Sequence, residues 1–233
     1  MALRVESLES GYGKLQVLFG VSLAVRPGSL TALLGPNGAG KTTTLLAIMG
    51  IVKPWRGSVK LGDLDLTDAP IHRKIEAGLA LVPEGRRLFP DMTVEENLLL
   101  GAYTKRARER AGDTMEFVFG LFPRLRERRR QKAGTLSGGE QQMLAVARGL
   151  MSLPKVLMID EPSAGLAPKV VEEMFAALAT LRERASVLLA EQNVSMAIKV
   201  SDYVYVIEGG RIALEGRPEE VTGEEKVKAY LGL

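Results

Sequence analysis

The chain has 233 residues, 46% hydrophobic and 25% charged, with a net charge of +3, the balance of a globular protein able to bury a sizeable core. No apolar run approaches the roughly 20 residues that cross a bilayer. The lack of cysteine removes disulfides and thiolate metal sites, and so mild a charge does not by itself argue for nucleic acid or an acidic surface as partner.

The opening Met1-Ala-Leu-Arg-Val-Glu-Ser7 has no basic segment leading into an apolar core, so a cytoplasmic protein is expected. Residues 2–8 and 17–25 alternate loosely between apolar and polar and predict half-exposed antiparallel strands. Between them Gly11-Tyr12-Gly13 reads as a loop, its aromatic either a platform for a purine ring or an ordinary turn tyrosine. Leu30-Thr-Ala-Leu-Leu34 follows as a buried strand, and Lys41 to Met49 as a helix stopped by Gly50.

The link between that strand and helix is Gly35-Pro36-Asn37-Gly38-Ala39-Gly40-Lys41-Thr42-Thr43, which satisfies G-x-x-x-x-G-K-[ST] in the strand, loop and helix context the motif demands. Its glycines let backbone N–H groups curl around phosphate oxygens, and the helix start adds partial positive charge. Lys41 is then expected to reach the β- and γ-phosphates. Thr42 should offer its hydroxyl to Mg²⁺, and Thr43 should bond a neighbouring phosphate. A glycine turn that merely capped a helix would need neither the lysine nor the hydroxyl at those offsets.

Gly57 to Leu61 predicts another strand, and Pro70 to Ala77 a short helix whose His72, the only histidine, reads as solvated because no partner accompanies it. Gly78 to Val82 is a strand ending at Pro83-Glu84-Gly85, near the phosphate loop if the sheet is parallel. From Thr93 to about Arg130 the spacing is helical, opened by the capping box Thr93-Val-Glu-Glu96. Arg124 to Lys132 holds six cations and one glutamate. Without aromatics to stack on bases, it reads as a solvated helix end rather than a nucleic-acid or headgroup contact.

Leu136-Ser-Gly-Gly-Glu140 then opens a helix through Arg148, with Ser137 and Glu140 as a second capping box. Capping does not explain Gly138 and Gly139, each costing about 1 kcal/mol relative to alanine within a helix. A helix start stripped of side chains beside a serine hydroxyl is a phosphate-binding surface, separate from the loop at Gly35. Val156-Leu-Met-Ile159 is a buried parallel strand presenting Asp160 and Glu161 at its C-terminal end. Asp160 suits Mg²⁺, and Glu161 suits orienting and deprotonating an attacking water. A helix is predicted from Pro168 to about Arg184, a strand over 186–190 delivering Glu191-Gln192-Asn193 to the same edge, a hairpin through Gly209-Gly210, and a closing helix from Glu224 to Leu231.

The phosphate loop, Leu136-Ser-Gly-Gly-Glu-Gln141 and Val156-Leu-Met-Ile-Asp-Glu161 together resemble the ATPase subunits of ABC transporters, over nearly all of residues 1–233. Val82-Pro-Glu-Gly-Arg-Arg-Leu-Phe-Pro90, Ser163-Ala-Gly-Leu-Ala-Pro168 and Glu191-Gln-Asn193 are more narrowly similar to the ATPase of branched-chain amino acid importers, the LivF type. The resemblance implies a single α/β domain. Its P-loop NTPase core (31–87 and 153–233) has a mainly parallel sheet, with an N-terminal antiparallel β subdomain (1–30 and part of 55–70) and an inserted α-helical subdomain (88–152) carrying the signature segment.

It also implies ATP with Mg²⁺, bound between two ATPase subunits, identical or not, arranged head to tail. Tyr12 would stack on adenine, Gly35 to Thr43 would hold the phosphates, and Ser137, Gly138 and Gly139 would meet the γ-phosphate in trans. Thr42, Asp160 and Glu84 would serve the metal, and Lys41, Glu161 and Gln192 the chemistry. Glu84 stands where a glutamine is usual in such ATPases and Gln192 where a histidine is usual; an amide donates a hydrogen bond to phosphate but cannot become cationic. Transmembrane permease subunits would dock on the helical insert, with a solute-binding receptor acting indirectly, and the protein would lie on the inner face of the cell membrane. No nucleic acid is expected. The rival readings are a urea or short-amide importer's ATPase, and a soluble ABC protein that meets DNA or ribosomes through Arg124 to Lys132.

Overall fold

The computed structural model describes residues 2–223, so the expected helix from Glu224 to Leu231 lies outside the described residues. The chain opens with β1 (Leu3–Tyr12), β2 (Leu15–Val25) and β3 (Leu30–Leu34), and then α1 (Lys41–Met49), β4 (Pro54–Leu61), β5 (Leu64–Asp65), α2 (Ile71–Ala77) and β6 (Leu79–Val82). A run of helices follows: α3 (Val94–Gly101), α4 (Lys105–Glu109), α5 (Ala111–Leu121), α6 (Pro123–Glu127) and α7 (Gly138–Leu150). The remainder alternates as β7 (Val156–Asp160), α8 (Pro168–Thr180), β8 (Ser186–Glu191), α9 (Val194–Val200), the hairpin β9 (Tyr203–Glu208) and β10 (Arg211–Gly216), and α10 (Pro218–Gly223).

Two sheets result. One is antiparallel, ordered β2-β1-β4-β5; the other is ordered β10-β9-β3-β8-β7-β6, parallel from β9 to β6 with β10 antiparallel at its edge. The parallel strands are apolar on both faces because both faces are covered. Alternation sorts their side chains: Leu157 and Ile159 of β7 join the core under α7 and α8, while Val156 and Met158 join the core shared with α1 and the antiparallel sheet.

Two expectations shift. Tyr12 lies in strand rather than loop, because it pairs with Leu15 across a tight turn that Gly13 closes at φ +60. The helix from Pro168 ends at Thr180 and tightens into a 3₁₀ turn over Leu181–Glu183, where Leu181 turns inward and Arg182 bonds the Val200 carbonyl and Asp202.

The topology decides what can meet. β3 and β7 lie on either side of β8 and all three run the same way. Their C-terminal ends therefore share one edge, which receives the glycine loop, Asp160 and Glu161, and Glu191.

Candidate functional site

The loop after β3 leaves the sheet at Gly35, where a Cβ would come within 2.5 Å of the Ile207 carbonyl. Gly40 caps α1 at φ +111, a conformation that excludes other residues without strain, and supplies no side chain to the helix start. The start of α1 thus has no side-chain cap, which leaves first-turn N–H groups for an external acceptor. Lys41, 4% exposed, folds over the loop: its Nζ donates to the Gly35 carbonyl at 2.7 Å and the Pro36 carbonyl at 3.0 Å, and lies 3.0 Å from Glu161 Oε1. The hydroxyls of Tyr12 and Thr43 are 3.4 Å apart, and the Tyr12 side chain is exposed beside the loop.

Asp160 ends β7 with 2% of its surface exposed, and its Oδ1 receives no hydrogen bond. Burial pushes its carboxyl up to about 6; the charges of Glu161 and Glu84 push the same way, while the Thr42 hydroxyl and the Lys41 charge oppose them. Glu161 follows at φ +48, a left-handed conformation uncommon outside glycine. Its Oε1 is close to Lys41 without the alignment of a hydrogen bond and has no other donor. Among the described residues no cluster of three or more His, Cys, Asp or Glu could hold a metal by itself. A buried unpartnered carboxylate oxygen beside a hydroxyl does fit Mg²⁺, which binds few protein ligands and completes its shell with water and phosphate oxygens.

The segment 137–139 lies elsewhere. Ser137 caps α7, accepting from Glu140 N, while Glu140 Oε2 accepts from Ser137 N at 2.9 Å. Arg128 holds the other oxygen of Glu140 at 3.1 Å. Among the described residues, no hydrogen bond or ion pair joins Ser137, Gly138 or Gly139 to residues 35–43. The chain's own neighbours account for part of the glycine pair: a Cβ on Gly139 would come within 2.5 Å of Val170 Cγ1, and one on Gly138 within 3.2 Å of Arg86 Nη2. Glu84 and Gln192 are both exposed, Glu84 at the rim of a cavity of about 400 Å³ that Glu161 and Gln141 also line.

The structure brings together Lys41, Thr42, Asp160, Glu161 and Glu84, and leaves Ser137 to Gly139 apart from them. Two residues that the sequence presents only as parts of longer segments acquire contacts of their own here. Glu191, wholly buried, accepts from Ser163 N and Oγ (3.0 Å each), Gln192 N (3.0 Å) and Asn193 N (3.1 Å), tying the segment after Glu161 to the start of α9. Burial raises its carboxyl even against those donors; the legible signal was a single acid ending an apolar strand. The other is Arg86, whose Nη1 donates to Gln141 Oε1 at 3.0 Å. The cationic run at 124–132 is largely paired: Arg124 with Glu173, Arg126 with Glu116, Arg128 with Glu140 and Arg129 with Glu95. His72 sits exposed on α2.

The family described as ABC transporter matches residues 18–164. The chain is 43% identical over 232 residues to the high-affinity branched-chain amino acid transport ATP-binding protein BraG of Pseudomonas aeruginosa, covering 99% of each. It is 41% identical over 234 residues to the probable branched-chain amino acid transport ATP-binding protein LivF of Archaeoglobus fulgidus, again covering 99% of each. Its fold is similar to the ADP conformation of MJ1267, an ATP-binding cassette of an ABC transporter, with a TM-score of 0.84 and 30% identity over 98% of this chain and 97% of that one.

Proposed function

The chain belongs to the ABC transporter family of ATP-binding ATPases, and from that premise we propose that it is the motor subunit of an importer for branched-chain amino acids. Two copies, or this chain and a related one, lie head to tail, with each ATP between Gly35–Thr43 of one subunit and Ser137–Gly139 of the other. The choice of solute rests on the similarity to BraG and LivF.

The observation that carries the reading is the approach of Lys41 and Glu161 to 3.0 Å at the mouth of the glycine loop. A triphosphate draws Lys41 to its β- and γ-oxygens, which separates the ammonium from the carboxylate. Glu161 Oε1 is then free to accept a proton from water. Tyr12, exposed at the loop's flank, offers its ring to adenine, and Thr43 its hydroxyl to a phosphate. Thr42 and Asp160, with Glu84 nearby, would hold Mg²⁺, which supplies charge neutralisation at the phosphates. Gln192 contributes a neutral amide near the γ-phosphate.

Exposed Ile51, Phe89, Leu100 and Tyr103, with Ile71 and Ile75, line a groove of about 540 Å³ beside α2 and α3, suited to the short cytoplasmic helices of permease subunits. The subunit would then sit against the inner face of the membrane, its parts divided at about residues 30, 87 and 152.

Nucleotide binding and steady-state hydrolysis test this. Lys41→Ala should lose ATP binding, whereas Glu161→Gln should keep it and hydrolyse about 10²–10⁴-fold more slowly, accumulating a dimer with ATP. Parental turnover in Glu161→Gln would remove the carboxylate from its role.

A further inference from the structure

Gly85, Arg86 and Arg87 all have positive φ, at +78, +64 and +48, although two of the three carry side chains. Arg148 of α7 holds this turn, donating from Nη2 to the Arg86 carbonyl at 3.3 Å and the Arg87 carbonyl at 2.7 Å while its guanidinium lies 5.6 Å from the centre of the Phe89 ring. The result is a fixed direction for the Arg86 side chain. Its guanidinium bonds Gln141 and lies against Gly138, in the first turn of α7.

That position is electrostatically costly unless something negative arrives. The start of a helix carries partial positive charge and favours anions, so a guanidinium parked there repels it. Arg86 lines the cavity of about 400 Å³ together with Glu84 and Glu161 of its own chain, yet among the described residues it is in no ion pair, and the nearby Glu140 is engaged by Arg128 and its own capping box. Gln141 takes one of the five N–H donors of Arg86. A planar cation with free donors, positioned by backbone strain beside an exposed serine cap and two glycines, is built to meet a phosphoryl group.

We infer that Arg86 is a catalytic residue acting in trans: its guanidinium contacts the γ-phosphate of ATP held by the phosphate loop of a second copy of this chain, beside Ser137 and Gly139. This rests on the head-to-tail reading above and deepens it. It also answers a deficit. With an exposed neutral amide at Gln192, Lys41 is the one cation the loop itself directs to the γ-phosphate, and Arg86 of the opposite copy supplies another.

In the reaction the water oxygen bonds to the γ-phosphorus and its proton goes to Glu161. The bond from that phosphorus to the bridging oxygen breaks, leaving ADP. Arg86 keeps its proton throughout and neutralises charge on the equatorial oxygens.

Subunit mixing tests both the contact and its direction. Arg86→Met should bind ATP but lower kcat at least about tenfold, with Arg86→Lys retaining part of the rate, since a cation donated in trans is worth this much or more in phosphoryl transfer. Lys41→Ala supplies Arg86 but no working loop, and Arg86→Met the reverse. Mixed together they should recover about a quarter of the parental rate, because half of randomly paired dimers are mixed and each has one complete site of two. A parallel mixture of Lys41→Ala with Ser137→Arg reports on the composite site alone. Recovery in the parallel mixture but not with Arg86→Met would place Arg86 in its own subunit's site and overturn the inference, leaving the head-to-tail reading intact. Recovery in neither would overturn the composite site, and parental kcat in Arg86→Met would overturn the contact itself.

Discussion

Lys74 of α2 exposes none of its surface, yet its Nζ donates to the Ile48 carbonyl at 2.9 Å and lies 3.4 Å from that of Thr67. Ile48 is in the last turn of α1, whose carbonyls have no intrahelical partners, so a cation there closes the end of the helix that begins at Lys41. Lys74→Met keeps most of the volume and orphans that carbonyl; urea unfolding should show a loss of about 1–3 kcal/mol. The ammonium also leaves a pH signature. Burial lowers its pKa below the ordinary 10.5, against the opposing charges of Asp68 and Asp65. Between the lowered value and 10.5 the unfolded chain holds more protons than the folded one, so this group's contribution to stability rises with pH across that window. The rise should be missing from Lys74→Met, and parallel pH profiles of parent and variant would contradict it.

At the scale of elements, α7 does two things. Its N-terminus is capped by Ser137 and Glu140 and carries no side chain of its own at Gly138 and Gly139, while its C-terminal half packs on α3 and under β6. The contact with α3 depends on Gly101, where a Cβ would collide with the Arg148 carbonyl and come within 2.8 Å of Met151 Cβ. Gly101→Ala should therefore force the helices apart at a cost of about 1–3 kcal/mol, typical of overpacking. A chemical denaturation midpoint unchanged from the parent's would show that the helices part freely. Because Arg148, which holds the turn at Arg86, sits on the same stretch of α7, separation there should reach the strained turn too.

Over the whole molecule, the sheet's C-terminal edge gathers Lys41, Asp160, Glu161 and Glu191, and the groove beside α2 and α3 gathers exposed apolar surface. Large apolar side chains clustered in one concavity mark an interaction site more reliably than the same residues scattered singly. Leu100→Asp and Tyr103→Asp alter residues 42% and 50% exposed, so folding should tolerate them. The expected result is undiminished ATP hydrolysis by the isolated chain and lost co-purification with permease subunits. Undisturbed co-purification in both would move the docking surface elsewhere.

What the sequence by itself determined is what short-range physics controls. The glycine loop is legible because its neighbours in sequence are also its neighbours in space, both capping boxes because a cap reaches only three residues, and the buried strands because burial on both faces demands unbroken apolar runs. The tertiary structure decided what depends on distant partners. The order β10-β9-β3-β8-β7-β6 brings Lys41 within 3.0 Å of Glu161 across 120 positions of chain. Glu191 acquires four donors, two of them from Ser163 on the neighbouring strand's exit. Arg86 reads in sequence as one cation among many, and its meaning comes from a strained turn, a clamp by Arg148 and the helix start it lies against. No local pattern encodes such contacts, since each depends on where folding has carried a residue remote in the chain.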